Sequence, residues 1–215
     1  MKITDRWGLL SHKDICLKLY KKYKIENVVD LGAGNNPQFE ICHQLNIRQL
    51  LIDIAYPEFK SERIWRLSMN ITDLDLIKAA VLDFSGVDNK TAIISIQNLE
   101  HLTTADGLQL LDFLDNSNAT LLVIETPNGF VHQLPTSDNP FQQHISGWTV
   151  RDFKRLGFKV RGTSGLKILH NNFDKGSYKF NIRGMKLLDV ILSRILFVRY
   201  FPRIAFNIIA YKIKE

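Results

Sequence analysis

Between Val28 and Phe39 the chain reads VVDLGAGNNPQF: a β-branched run, an acid near its end, a G-x-G turn, then Asn36 and Pro37 ahead of a helical pattern. A strand that breaks into glycine and resumes as a helix opens a β-α-β unit, and such units build parallel sheets. The rest of the chain repeats the theme. Apolar, β-rich runs alternate with amphipathic segments, the pattern of a sheet covered by helices on both faces. Strands are expected in NVVDL, RQLLIDI, RIWRLS, TAIISIQ, ATLLVIE, FKVRGTSG and AFNIIAYKI. Ser11 and Asp14 form a capping box for a helix over 12–23. Asn36 and Pro37 are expected to start the second helix, Thr72 to cap a third, Thr103 or Thr104 a fourth, and TVRDFKRLG to form a fifth. The 215 residues hold no Pro/Ser-rich linker, repeat or low-complexity tract. A single domain over 1–215 is expected, with a helical insertion at about 170–203 before the last strand.

The glycine turn has a chemical reading. Gly32 and Gly34 remove Cβ atoms where backbone N–H groups and a helix N-terminus could approach a ligand. A dinucleotide fingerprint would place a third glycine at position 37, which is Pro. Asp30 would repel a pyrophosphate and favour an ammonium group or ordered water, so a cationic ligand suits the turn better. Nineteen residues past Gly34, at the end of the second strand, Asp53 is placed to accept both hydroxyls of a ribose.

From these residues outward the chain resembles the class I S-adenosylmethionine-dependent methyltransferases. VVDLGAG is similar to their first motif, LIDIA to the second, LSMNITDL to the third, IISIQNLEHL to the fourth and LLVIETPNG to the fifth. Five runs in the family's order are far more specific than any one. The LEH and TPNG runs most resemble small-molecule and glycan-modifying members, the quinone O-methyltransferases among them. The resemblance implies a Rossmann-like α/β fold with a seven-stranded sheet of order 3-2-1-4-5-7-6, the last strand antiparallel. It also implies S-adenosyl-L-methionine as cofactor, with Asp30, Gly32, Ala33 and Gly34 around its methionine part. Asp53 would take the ribose, Ile54 would lie against the adenine, Asn70 would meet the adenine edge and Ile71 its face. Gln97 would border the amino acid moiety. Asn36 stands where many relatives have Gly, and Asn70 where many have Asp, which implies retuned binding.

The implied reaction is an in-line displacement at a sulfonium methyl, with oxygen of a small-molecule, glycan or lipid-linked acceptor as nucleophile. Positioning supplies most of the acceleration in such a reaction, and a base is optional. His101 and Glu100, just after the fourth strand, and His144, in the loop after the fifth, are the candidate catalytic residues, the histidines as bases. His101 equally suits a structural partnership with Glu100. Some relatives hold a divalent metal on an E-x-x-E-H run; here the run is Gln97, Glu100, His101, one charged ligand is missing, and no metal is expected. The N/D-P-P-Y/F run common in nucleic-acid base methyltransferases is absent, which disfavours a nucleic-acid acceptor. A non-catalytic cofactor-binding or scaffold protein of the same fold is the alternative reading. An NAD-dependent dehydrogenase fits less well, given Pro37 and no Tyr-x-x-x-Lys pair after the fourth strand.

Charge adds a second region. Residues 1–173 hold 19 Lys+Arg and 19 Asp+Glu, whereas 174–215 hold 9 and 3, so the whole net charge of +6 is C-terminal. Within that segment Leu187, Leu188, Ile191, Leu192, Ile195, Leu196 and Val198 make an apolar face, with Arg194, Arg199 and Arg203 among them. That composition suits peripheral membrane contact through 184–203. A lid or a packing helix against the domain or a dimer partner is the plainer reading of the same pattern. The start of the chain has no signal-peptide core, no run of about 18 uncharged apolar residues occurs, and the two cysteines form no disulfide framework. A cytoplasmic protein, peripheral at most to the inner face of the membrane, is expected.

Overall fold

The computed structural model describes residues 11–86, 90–135, 140–171, 178–179 and 184–214. Part of the expected insertion, 172–177 and 180–183, lies outside these residues. The strands are β1 (Asn27–Leu31), β2 (Arg48–Ile52), β3 (Phe59–Lys60), β4 (Ile64–Leu67), β5 (Thr91–Ile96), β6 (Leu121–Pro127), β7 (Lys159–Leu166) and β8 (Ala205–Ile213). They form one sheet of order β3-β4-β2-β1-β5-β6-β8-β7. The seven expected strands are all present in their expected lateral order, but the sheet has eight. The addition is β3, which folds back antiparallel on β4 through a turn in which Ser61 N–H donates to the Ile64 carbonyl at 2.9 Å. Two residues carry no readable periodicity, so this edge strand left no mark in the sequence. β1 pairs in parallel with β2 and β5, and β8 runs antiparallel to both β6 and β7.

The helices are α1 (His12–Tyr23), α2 (Phe39–Leu45), α3 (Leu74–Ser85), α4 (Thr104–Asn116), α5 (Val150–Arg155) and α6 (Met185–Ile195). Period-two alternation along the strands sorts the core into two layers. Val29, Leu31, Ile93, Leu122 and Ile124 pack with α3, α4 and α5 through Ile77, Phe84, Leu110, Leu114 and Phe153. Val28, Ala92, Ile94, Leu121 and Val123 pack with α1 and α2 through Ile15, Cys16, Tyr20, Ile41 and Cys42. Each fully buried Ile or Leu stabilises the fold by roughly 1.5–3 kcal/mol relative to exposure.

Local chemistry explains most helix ends. Ser11 N–H donates to the Asp14 carboxylate at 3.0 Å, and Lys24, at φ +52°, ends α1 in a left-handed residue. The Thr103 hydroxyl accepts from Asp106 N–H at 3.1 Å at the start of α4. Two expected starts are corrected. Asn36 takes φ +56° and exchanges side-chain hydrogen bonds with Gln49, so α2 begins at Phe39 behind Gln38 and not at Pro37. Asp73, not Thr72, is the N-cap of α3, because Thr72 N–H is drawn to the Asn70 side chain at 3.1 Å.

Candidate active site

A cavity of about 370 Å³ lies at the carboxyl ends of β1, β2 and β5. Ligands of open α/β sheets bind at this edge. Its floor is the glycine turn. Gly32, at φ +75°, must lack a side chain, since a Cβ there would come within 2.3 Å of the Asn98 carboxamide. Gly34 faces open space and leaves room for a ligand against the backbone. Asn98 fixes the two strand ends together: its amide donates to the Leu31 carbonyl at 3.2 Å and to the Ser95 hydroxyl at 3.4 Å. Arg66, almost buried, supports the turn from below by donating to the Gly34 carbonyl at 2.9 Å.

Gly32, Ala33, Gly34, Asp53, Ile54, Asn70, Ile71, Gln97 and His101 all line this cavity. Asp53 follows β2 and clamps the turn, its two carboxylate oxygens accepting from Gly34 N–H and Ala55 N–H at 2.8 Å each. Each oxygen keeps a second lone pair for a hydroxyl donor. Ile54 is exposed at one wall and Ile71 is buried at another. The Asn70 side-chain oxygen Oδ1 accepts from Thr72 N–H at 3.1 Å. Gln97 sits at φ +53° with its amide nitrogen buried and without a hydrogen-bond partner.

Asp30, expected at the methionine part of a cofactor, does not line the cavity. Alternation turns its side chain to the α1 and α2 face, directly beneath the turn. Both its oxygens are buried and unpartnered. Burial raises its pKa to about 7, with the Asp53 charge adding to the rise and the His12 and Arg66 charges opposing it. On the same face His12 of α1 lies 2.9 Å from the buried Glu125 carboxylate of β6. Burial opposes the His12 charge, but Glu125 outweighs it, and the net shift is upward.

The loop between β6 and α5 brings His144 to the turn after β5. Ile145 N–H and Ser146 N–H both donate to the Glu100 carbonyl, at 2.9 and 3.1 Å. Trp148 Nε1–H donates to the Ser146 hydroxyl at 2.9 Å, and the indole fills the space where Gly107 of α4 lacks a Cβ. The His101 and His144 rings meet edge to face, 4.9 Å between centroids. His101 Nδ1 lies 3.0 Å from the Gln143 carbonyl and His144 Nδ1 lies 2.7 Å from the Val131 carbonyl. Carbonyls only accept, so both Nδ1 atoms carry hydrogen and each neutral ring offers Nε2 as a lone pair. Burial lowers both pKa values.

Glu100 is buried behind them, neither carboxylate oxygen making a hydrogen bond of good geometry. Burial raises its pKa to about 8, although its own N–H and the nearby Thr126 hydroxyl temper the rise. Glu100, His101 and His144 each present one donor atom, all within 4.8 Å of one another. Imidazoles anchored through Nδ1–H to backbone carbonyls, beside an unpaired carboxylate, fit the donor set of a divalent cation of borderline softness. Of the three, His101 alone borders the cavity. Asn98 and Arg66 were not anticipated; Asn98 stands in the same QNLEHL run as the expected residues, whereas nothing in RIWRLS marks Arg66 as a support for the turn.

No family model and no curated protein matches the sequence. Solved structures do match in fold. A SAM-dependent methyltransferase from Archaeoglobus fulgidus aligns over 95% of both chains at 15% identity and a TM-score of 0.53. The methyltransferase domain of bacterial CtHen1 aligns over 94% of this chain and 96% of its own at 16% identity and a TM-score of 0.52. The Burkholderia thailandensis 1,6-didemethyltoxoflavin-N1-methyltransferase, solved with 1,6-didemethyltoxoflavin and S-adenosylhomocysteine bound, aligns over 94% of this chain and 77% of its own, at 11% identity and a TM-score of 0.51. The chain therefore has the class I methyltransferase fold. Small RNA methyltransferase HEN1 is a further match, so likeness of fold is neutral between small-molecule and nucleic-acid acceptors and does not single out a quinone-type relative.

Proposed function

We propose that the protein is an S-adenosylmethionine-dependent methyltransferase that modifies oxygen on a small-molecule, glycan or lipid-linked acceptor. One observation carries the reading: the cavity at the carboxyl edge joins the open Gly34 backbone to Asp53, the Ile54 and Ile71 walls and the orphan Gln97 amide in a single space. Gly32, Ala33 and Gly34 would hold the methionine part of the cofactor, Asp53 the ribose hydroxyls, Ile54, Asn70 and Ile71 the adenine, and Gln97 the amino acid group. Asp30 would act from beneath through the turn. The cofactor supplies an activated methyl group. The protein's own task is to orient the acceptor, exclude water and receive a proton. His101 suits the last role, because its neutral Nε2 can accept while Nδ1–H remains on the Gln143 carbonyl.

The test is titration of the purified protein with S-adenosylhomocysteine and NAD, followed by an untargeted methyl-transfer assay. Saturable stabilisation by S-adenosylhomocysteine alone and methylated product are expected. A micromolar response to NAD revives the dehydrogenase reading, and binding without transfer to any acceptor supports the scaffold reading. A second reading rests on the Glu100, His101 and His144 cluster, against the sequence expectation of no metal. There the three residues would hold a divalent cation and His101 would be a ligand, not a base. Calorimetry with Mn²⁺ and Zn²⁺ separates the two: binding lost in His144→Ala favours the cation, and no binding by the intact protein favours the base.

A further inference from the structure

Helix α6 carries its amphipathicity in reverse. At 100° per residue Leu187, Leu188, Ile191 and Ile195 fall on one stripe about 100° wide. All four are exposed, Ile195 to 62%. The buried side of the helix holds Asp189 and Val190. Asp189, fully buried, accepts from Leu166 N–H at 2.8 Å, the Ser193 hydroxyl at 3.0 Å and the Tyr178 hydroxyl at 3.2 Å, and pairs with His170 Nε2 at 3.2 Å. Gly165 makes room for the carboxylate, since a Cβ there would lie 2.0 Å from it. This polar anchor faces α6 inward by its acid and holds the apolar stripe outward. Phe197, Tyr200 and Phe201 continue the exposed apolar surface after the helix.

The charges around the stripe have one sign. Arg194 and Arg203 are exposed, Arg199 is half-buried, and Asp189, the single acid within 184–204, is withdrawn into the protein. Between the irregular end of β7 and α6 lies a cleft of about 200 Å³ lined by Ser164, Ser193, Arg194, Arg199 and Tyr200. Arg199 Nε is buried there without a hydrogen-bond partner. Such a cleft fits a phosphate beside an apolar surface. A second copy would bring the same arginines together across a twofold contact, and a nucleic acid would leave the aliphatic stripe in water.

We propose that residues 184–204 seat the protein on an anionic phospholipid surface, the α6 stripe in the headgroup–acyl boundary and a headgroup phosphate in the Arg194/Arg199 cleft. α6 enters after β7 and leads to the start of the antiparallel β8, so this surface lies at the same sheet edge as the cavity. The inference stands apart from methyl transfer and is tested without it, by co-sedimentation of the whole chain with phosphatidylcholine vesicles with and without phosphatidylglycerol. Binding to the anionic vesicles that weakens as salt rises is expected. Ile191→Asp with Ile195→Asp should reduce that binding by about tenfold or more at an unchanged melting temperature, since both positions are exposed. Arg194→Glu with Arg203→Glu should erase the preference for anionic lipid. In a second measurement Phe197→Trp should shift its emission to the blue when anionic vesicles are added. No binding to either vesicle, equal binding to both, binding indifferent to Ile191 and Ile195, or a dimer that forms through Ile191 in place of vesicle binding would each overturn the proposal.

Discussion

Asp53 does two things with one carboxylate. It holds the glycine turn closed through Gly34 and Ala55, and it faces the cavity where a ribose would lie. Asp53→Ala should therefore weaken S-adenosylhomocysteine at least about tenfold, roughly 1.4 kcal/mol, a modest figure for a charge-assisted hydrogen bond. Calorimetry showing unchanged affinity would remove Asp53 from the ribose. Glu100 makes a prediction in pH. Its native carboxyl keeps a proton up to about pH 8, whereas an unfolded glutamate gives it up near 4.5. Between those values the folded state binds more protons, so stability falls as pH rises. Glu100→Gln removes that slope, and the loss of unfolding free energy between pH 5 and pH 8 should shrink by about 2–4 kcal/mol in denaturant melts. An identical pH profile would place the burial of this carboxyl in doubt.

At the scale of elements, α4 and the loop beyond β6 are joined by a missing methyl group. Gly107 lies in a helix, where glycine costs about 1 kcal/mol against alanine. Here the usual gain from alanine should reverse, because a Cβ would come within 2.5 Å of the Trp148 indole. Gly107→Ala should push Trp148 off Ser146, loosen the loop that carries His144, and lower the melting temperature. Tryptophan emission would report the displacement; a more stable protein with unaltered emission would refute it. Sequence made the strands and most helices legible, since their periods and caps are local. Asn36 misled because a tertiary partner, Gln49, took the side chain that a cap would have used. The orientation of α6 was hidden for a different reason: a periodic pattern locates an apolar stripe without saying which way it faces, and here Asp189 decides. Asp53 was legible from its spacing to the glycine turn, whereas Asn70 and Gln97 came only with the resemblance to the methyltransferases; all three line the cavity. The meeting of Glu100 with His144 could not be read, because α4, β6 and the loop beyond β6 separate them along the chain.

In the whole molecule, Asp30, Glu125 and His12 form a buried polar spot in the layer between the sheet and the α1 and α2 helices. The same layer holds both cysteines. Cys16 and Cys42 are fully buried free thiols, and burial raises both pKa values, that of Cys16 to about 12. Thiolate is the reactive form, so alkylation must wait for α1 or α2 to lift from the sheet. The pair thus offers a natural clock for opening beneath the glycine turn. Iodoacetamide should label the native protein slowly, and urea below the unfolding midpoint should quicken the reaction. A ligand held by the turn above should slow it, and mass spectrometry of each thiol will time the two helices separately.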